Sequence, residues 1–195
     1  MSKHAKRPFP TRLAIITAGA ALVAAAFAAY LTPSARSRTS LIGGPFALQM
    51  GNGETLTDKD LLGHPYLVYF GYTHCPDVCP TTLAQISDVL RKMPNEPVKA
   101  LFITVDPDRD SAKTMADYVS SFGPRIIGLS GSPAVIAKTE KEFRVYAKKG
   151  PEKDGDYPMD HSSVVYLMDR NGHFAEAFNL DRSAAESAKE LSTYL

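Results

Sequence analysis

The feature that most restricts the fold is a short apolar run followed by two cysteines and then a helix. Residues 66–70 (YLVYF) are aromatic and aliphatic and stand between Pro65 and Gly71, which is typical of a buried strand. Both cysteines of the chain, Cys75 and Cys79, lie in the segment GYTHCPDVCP that follows. A helix with one apolar face comes next. The pair is therefore predicted in a strand-to-helix loop, which is the thioredoxin-like placement.

The alternation of strands and helices continues along the chain. After an edge strand near residues 46–48, the predicted elements are a strand at 66–70, a helix from about 80 to 93, a strand at 98–105, a helix at 111–122, a strand at 126–129, a helix at 132–143, a strand pair at 164–168 and 173–178, and a helix at 183–195. This order predicts an α/β fold, a thioredoxin-like three-layer sandwich whose mixed sheet is parallel in its first half and antiparallel at the hairpin.

A long uncharged run precedes this domain. Residues 13–31 carry no charge over 19 positions, about the length that crosses a hydrocarbon core of ~30 Å. Four basic residues stand before it, which favours a cytoplasmic N-terminus. We expect a cytoplasmic tail at 1–12, a single transmembrane anchor at 13–31, a linker at 32–40 and a domain at 41–195, on the outer or periplasmic side of a bacterial inner membrane. The alternative is a cleaved signal peptide, since AFA at 26–28 resembles a cleavage site.

The charge distribution restricts the partners of the domain. Residues 1–40 hold six Lys/Arg and no Asp/Glu, so residues 41–195 hold 16 Lys/Arg against 21 Asp/Glu, a formal charge of −5. An acidic domain without a basic stripe does not suit nucleic-acid binding. A domain of this size also needs no disulfide for stability, and two cysteines four positions apart constrain the unfolded chain little. Structural stapling is therefore disfavoured for the cysteine pair.

The prolines after the two cysteines bear on the reactivity of the thiols. Pro80 suits the first position of a helix, which makes Cys79 the expected N-cap. Its sulfur would then lie near free backbone N–H groups and the positive end of the helix dipole, which lowers a thiol pKa below its usual ~8.5. In a helical turn, positions i and i+4 have Cα atoms about 6 Å apart, which permits either a disulfide or two ligands to one metal ion.

A third ligand would favour the metal site. His161 stands in MDHSSVVYLMD, directly before a predicted buried strand, at an end that a thioredoxin-like domain brings beside its cysteines. Two thiolates and one imidazole suit copper, whereas zinc usually takes a fourth ligand. The alternative for His161 is a capping or core histidine. The other four histidines are not expected to join the cysteines, because they precede the anchor, lie at the surface or point away from Cys75: His4, His64, His173 and His74.

Several segments together resemble the SCO/SenC family: GGPFALQ, DLLGHPYLVYFGYTHCPDVCPTTL, LFITVDPDRD, RIIGLSG and YPMDHSSVVYLMD, within residues 41–182. The resemblance implies a membrane-tethered thioredoxin-fold protein that binds one copper ion, Cu(I) or Cu(II), through Cys75, Cys79 and His161. It also implies a role in assembling the dinuclear copper centre of cytochrome c oxidase. The expected partners are the copper-bearing oxidase subunit and an upstream copper donor or thiol reductant.

Two acidic residues also match positions of that family. Asp77 is assigned a supporting or partner-docking role beside the ligands, and Asp106 a role in loop geometry and surface charge. The cluster of Asp106, Asp108 and Asp110 lacks the spacing of an EF-hand and is interpreted as a solvated turn before the next helix.

Three functions are considered for the same residues. The leading expectation is a copper metallochaperone that is not an enzyme. The alternative is a thiol–disulfide oxidoreductase in which Cys75 and Cys79 cycle through a disulfide and reduce cysteines of a partner, such as those of the oxidase copper site. A peroxide-reducing enzyme fits the two prolines and the second thiol less well. Oxidation to the disulfide removes both thiolates, so redox state and copper occupancy are expected to be coupled.

Overall fold

A mixed sheet of seven strands forms the centre of the computed structural model, which describes residues 41–195. The nine strands are β1 (Ala47–Met50), β2 (Thr55–Thr57), β3 (Tyr66–Gly71), β4 (Lys99–Thr104), β5 (Ile126–Ser130), β6 (Ala147–Lys149), β7 (Met159–His161), β8 (Val165–Met168) and β9 (Phe174–Ala177). Seven of them lie in the order β2-β1-β5-β4-β3-β8-β9, while β6 and β7 pair separately. The pairs β3–β4 and β4–β5 are parallel, and the other pairs are antiparallel.

Four helices connect or follow these strands: α1 (Val78–Arg91), α2 (Ala112–Val119), α3 (Pro133–Glu142) and α4 (Ala184–Ser192). Short 3₁₀ turns occupy Asp58–Leu61 and Ser120–Phe122. The Ser111 hydroxyl caps α2, because it accepts a hydrogen bond from the backbone N–H of Thr114 at 3.1 Å. Ser183 begins α4 in the same way, in a reciprocal capping box with Glu186.

The central strand β3 is buried along its whole length because helices cover both faces of the sheet. Leu67 and Tyr69 pack into a core with α1, α2 and α4, whereas Val68 and Phe70 pack on the opposite face with α3. A strand covered on both faces has no solvent-facing side chains, which explains its unbroken apolar sequence. The arrangement confirms the predicted α/β fold with a mixed sheet between layers of helix.

The hairpin of β6 and β7 is a feature that the sequence did not predict. It pairs Ala147 with His161 and Lys149 with Met159, so His161 lies in a strand rather than in a loop before one. Both strands have only three residues and are half-exposed, so they carry no alternating apolar pattern. Their pairing depends on backbone hydrogen bonds, which a hydropathy pattern does not record.

The predicted tail, anchor and linker at 1–12, 13–31 and 32–40 lie outside the described residues. Within residues 41–195, no helix has both the length and the apolar character that crossing a membrane requires.

The close packing of α2 on β5 provides a test of this fold. A Cβ atom at Gly128 would lie 2.4 Å from the backbone oxygen of Met115, which cannot move independently of α2. We expect Gly128→Ala to lower the free energy of unfolding by about 1–3 kcal/mol. Gly131→Ala is the matched control, since its Cβ would meet the rotatable Val135 side chain at 3.3 Å. Urea denaturation of both variants measures the difference; equal stability would contradict this packing.

Candidate metal centre

The predicted ligands lie close together at one edge of the sheet. Cys75 stands in the loop after β3, Cys79 in the first turn of α1, and His161 at the end of β7. One ligand atom from each residue, two Sγ atoms and an imidazole nitrogen, lies within 4.8 Å of the other two. The carboxyl ends of parallel strands are where α/β folds commonly place binding sites. The structure thus brings all three residues to one point.

The three donors differ in their exposure. Cys79 is fully buried, whereas Cys75 and His161 are partly exposed. Cys79 Sγ lies 3.8 Å from His161 Nε2, and the backbone N–H of Cys79 points to Cys75 Sγ with an N···S distance of 3.4 Å. Both thiols are free. One donor therefore belongs to the core, and the other two can be reached from solvent.

The His161 ring is oriented by its surroundings. Nδ1 lies 2.9 Å from the carbonyl oxygen of Ser162, which can only accept, so Nδ1 carries the proton in this hydrogen bond. In the neutral imidazole this leaves Nε2 as the nitrogen with a free lone pair, and Nε2 faces Cys79. The Tyr72 ring packs edge-on against the imidazole at 5.7 Å between centroids. A histidine that donates its second nitrogen to a carbonyl is the usual state of a metal ligand.

The predicted environment of the Cys79 thiol is wrong. Helix α1 begins at Val78 with Asp77 as its N-cap, so Cys79 lies inside the first turn instead of capping it. Burial raises the pKa of Cys79 to about 12, and this effect outweighs hydrogen bonds from the Tyr72 backbone N–H and the Tyr69 hydroxyl. A helix terminus can be located in the sequence, whereas the cost of removing water from the sulfur depends on tertiary packing.

Gly71 permits this burial. A Cβ atom at position 71 would lie 2.7 Å from Cys79 Sγ and 2.7 Å from the Phe102 ring. Glycine therefore allows the sulfur to pack directly against the end of β3. In the sequence FGYTHC, Gly71 predicts only the end of a strand, and its contact with the sulfur depends on the fold.

A buried carboxylate holds the cysteine loop. Asp110 accepts hydrogen bonds from the Thr73 backbone N–H at 3.0 Å, the Thr73 hydroxyl at 2.5 Å and the Thr104 hydroxyl at 2.8 Å. Asp110 and Asp106 are 0% and 3% exposed, so the prediction of a solvated turn and of surface charge at Asp106 is wrong; only Asp108 of this cluster is exposed. Their partners come from distant segments, which a local motif does not show.

The remaining candidate residues lie outside the three-donor cluster. Asp77 is exposed at the N-cap of α1, with its Oδ1 3.5 Å from the Thr81 hydroxyl. His64 and His74 are exposed, and His173 lies 3.8 Å from the Asp169 carboxylate. His4 lies outside the described residues. Among residues 41–195, Cys75, Cys79 and His161 form the single cluster of metal-ligating side chains.

The fold and the cluster define a thioredoxin-like domain with a Cys-x-x-x-Cys loop and a histidine supplied by a separate hairpin. Comparison with protein families agrees with this class: the SCO1/SenC family model matches residues 34–195. The chain belongs to the SCO1/SenC family.

Individual relatives support this assignment. The chain is 40% identical over 163 residues to the mitochondrial SCO2 homologue of Danio rerio, and 40% identical over 160 residues to the mitochondrial SCO1 homologue of Mus musculus. These matches cover 81% and 80% of this chain but 58% and 56% of the relatives, so the chain spans less than two thirds of their length. The copper-bound structure of Bradyrhizobium japonicum ScoI is 57% identical with a TM-score of 0.76, covering 79% of this chain and 99% of that one.

The predicted location in a bacterial inner membrane, with the domain on the periplasmic side, is wrong. The SCO1 and SCO2 homologues of zebrafish, mouse and human that the chain matches are mitochondrial proteins. The prediction depended on an apolar run with a positive flank, and that pattern does not distinguish one compartment from another.

The unequal burial of the thiols predicts unequal reactivity. In the reduced, metal-free protein at pH 8, we expect iodoacetamide to modify Cys75 at least about tenfold faster than Cys79, because the attacking species is the thiolate and the pKa of Cys79 is raised to about 12. Mass spectrometry of peptides after timed quenching measures both rates. Cys75→Ser is the control for modification of Cys79 alone. Equal rates would contradict the buried position of Cys79.

Proposed function

We propose that the protein is a copper metallochaperone that binds one copper ion through Cys75, Cys79 and His161 and assists assembly of the dinuclear copper centre of cytochrome c oxidase. The observation that carries the proposal is the cluster of three donor atoms within 4.8 Å of one another. The family assignment and the copper-bound structure of a relative that is 57% identical support it.

The donor set fits copper better than zinc. Thiolates select Cu(I), and imidazole also accommodates Cu(II), so two cysteines and one histidine can hold both oxidation states. Structural zinc sites usually have four protein ligands, and within residues 41–195 no fourth His, Cys, Asp or Glu joins this cluster. Bound copper would supply the positive charge that stabilises the buried Cys79 thiolate, at the cost of releasing the thiol proton.

The position of the donors suits a carrier. Cys79 holds the cargo from the core, while Cys75 and His161 are partly exposed and can be replaced by ligands of a partner. Three protein ligands leave room for an incoming donor, whereas a closed site of four ligands hinders release. The expected partners are the copper-bearing oxidase subunit and an upstream copper donor or thiol reductant. The proposal includes a membrane tether at residues 13–31, which is supported by the uncharged sequence of that segment.

Copper titration of the reduced protein tests the ligand assignment. We expect one copper per chain, with sulfur-to-copper charge transfer in the Cu(II) form. His161→Ala should weaken Cu(II) binding by about 10–100-fold and Cu(I) binding less, because the softer thiolates remain. Anaerobic competition with chelators of each oxidation state measures both affinities. His173→Ala, at a partly exposed histidine beside Asp169, is the matched control. Unchanged affinity in His161→Ala would remove His161 from the proposed site.

Thiol–disulfide exchange is the second candidate, because Cys75 and Cys79 are both free and their sulfurs belong to the same close cluster. In this reaction both thiols are oxidised to an intramolecular disulfide while a partner disulfide is reduced to two thiols, and an external dithiol restores the pair. Cys75 is the attacking thiol, since it is the more exposed of the two.

The role of His161 separates the two candidates. Metal-free reduced protein is mixed with a fluorescent disulfide peptide, and the rate of peptide reduction is measured. If exchange is the function, we expect Cys75→Ser to abolish the rate and His161→Ala to leave it within about twofold of the wild type. A chaperone without reductase activity reduces the peptide no faster than a small dithiol of the same concentration.

A further inference from the structure

The hairpin that carries His161 lies outside the main sheet. Strands β6 and β7 pair with each other and with no strand of the seven-stranded sheet. Cys79, in contrast, is fixed by α1 and by the core. Sheet hydrogen bonds therefore do not determine where His161 lies relative to the cysteines, and other contacts must hold the hairpin in place.

Arg109 makes such contacts. It stands in the loop after β4, and its Nε donates to the carboxylate of the buried Asp106. Its two terminal nitrogens reach the segment before β7: Nη1 donates to Asp156 Oδ1 at 2.6 Å and Nη2 to the backbone oxygen of Tyr157 at 2.9 Å. One guanidinium thus bridges a core loop and the hairpin.

Tyr157 completes the connection from the other side. Its hydroxyl donates to Asp106 Oδ1 at 2.8 Å, so both Arg109 and Tyr157 bind the same buried carboxylate. The guanidinium of Arg109 lies over the Tyr157 ring at 3.6 Å, and Lys149 of β6 lies 3.6 Å from the centroid of the same ring. The ring is stacked between two cations, and its hydroxyl is bound to Asp106, so the Tyr157 side chain has little freedom to move.

These contacts extend to His161 through Tyr72. The Arg109 guanidinium carbon lies 5.8 Å from the centroid of the Tyr72 ring, which packs edge-on against the His161 imidazole. Tyr72 also belongs to the hydrophobic core against which Met159 of β7 packs. The hairpin is therefore attached on both sides of His161's strand, through Tyr157 before it and through Tyr72 beside it.

We propose that Asp106, Arg109 and Tyr157 form a clasp that positions His161 against the two cysteines. The inference rests on the proposed copper-binding function and deepens it. Arg109 and Tyr157 are positioning residues, since they act through Tyr72 and the hairpin. The planar guanidinium suits this role, because it binds three groups and stacks on a ring at once, which a lysine ammonium does not reproduce.

The clasp predicts a selective defect. Loosening it displaces His161 while Cys75 in the loop after β3 and Cys79 on α1 keep their positions, so the variants should resemble His161→Ala. Cu(II), which depends on the imidazole, is expected to bind about 10-fold more weakly, and Cu(I) within about threefold of the wild type. A general loss of folding would weaken both oxidation states alike.

Two substitutions release the clasp to different degrees. Tyr157→Phe removes the hydroxyl that binds Asp106 but keeps the ring under the two cations. Arg109→Lys keeps the charge but loses the fork to Asp156 and Tyr157. Tyr166→Phe is the control for the first substitution. It also removes the hydroxyl of a buried tyrosine, and the Tyr166 ring lies in the core that packs against α3. Arg182→Lys, at an exposed ion pair with Glu190, is the control for the second.

Two measurements on the full-length protein test the clasp. The first is amide hydrogen exchange in the metal-free state at Gly150 and Ser162, whose N–H groups donate across the hairpin to Pro158 and Tyr146. We expect exchange at least fivefold faster in both clasp variants and unchanged exchange in both controls. The second is the ratio of Cu(II) to Cu(I) affinity, together with the intensity of the sulfur-to-copper charge transfer.

The outcomes separate the clasp from the proposed function. Faster exchange with a selective loss of Cu(II) supports both. Wild-type exchange and wild-type copper affinities in Tyr157→Phe and Arg109→Lys overturn the clasp and leave the copper proposal standing. Faster exchange in a protein whose wild type binds no copper supports the clasp's hold on the hairpin and overturns the proposed function. If Arg109→Lys does not fold, because Asp106 is left buried without its partner, Tyr157→Phe alone decides.

Discussion

The burial of the Cys79 sulfur is the constraint on which the site depends. Gly71 leaves space for the sulfur at the end of β3, Phe102 belongs to the same core, and α1 begins early enough to direct the sulfur inward. Removal of water raises the pKa of this thiol to about 12, so Cys79 is protonated at neutral pH. Cys79 becomes a thiolate when a cation compensates for the lost solvation, and it becomes an uncharged disulfide sulfur when it bonds to Cys75. The neighbouring Cys75, closer to solvent, is the residue through which either event begins.

One loop supports both halves of the cluster. The segment DPDRD after β4 provides Asp110, which binds Thr73 in the cysteine loop, and Asp106, which binds Arg109 and Tyr157 beside the hairpin. Buried carboxylates are costly unless they are satisfied, and each of these two has several donors. The loop therefore fixes the distance between two segments that are far apart in the chain. Rigidity in the supporting residues is what lets three donors meet without a disulfide or a closed metal cage.

The sequence predicted the elements whose signals are local. The strand at 66–70 and the apolar face of α1 follow from periodicity, and the structure contains both. The short strands β6 and β7 were missed because they carry no apolar pattern, and the buried state of Asp106 and Asp110 was missed because their partners are distant. The contact of Thr73 with Asp110 spans 37 positions, and nothing in the DPDRD motif specifies it. Proximity of His161 to the cysteines was anticipated from the family's pattern, but the hairpin that achieves it was not.

The two candidate functions share both thiols and differ in their need for the imidazole. Thiol–disulfide exchange requires two sulfurs and an acceptor for the proton of the attacking thiol. Cys75, the more exposed thiol, can give its proton to solvent, so the reaction does not require a histidine held beside the buried Cys79. Yet the chain fixes Nδ1 on the Ser162 carbonyl, packs Tyr72 against the ring, and directs Nε2 at Cys79 from 3.8 Å. A third donor held this closely is useful for a metal ion and dispensable for a disulfide. The geometry of His161, more than that of the cysteine pair, therefore favours the copper carrier over the reductase.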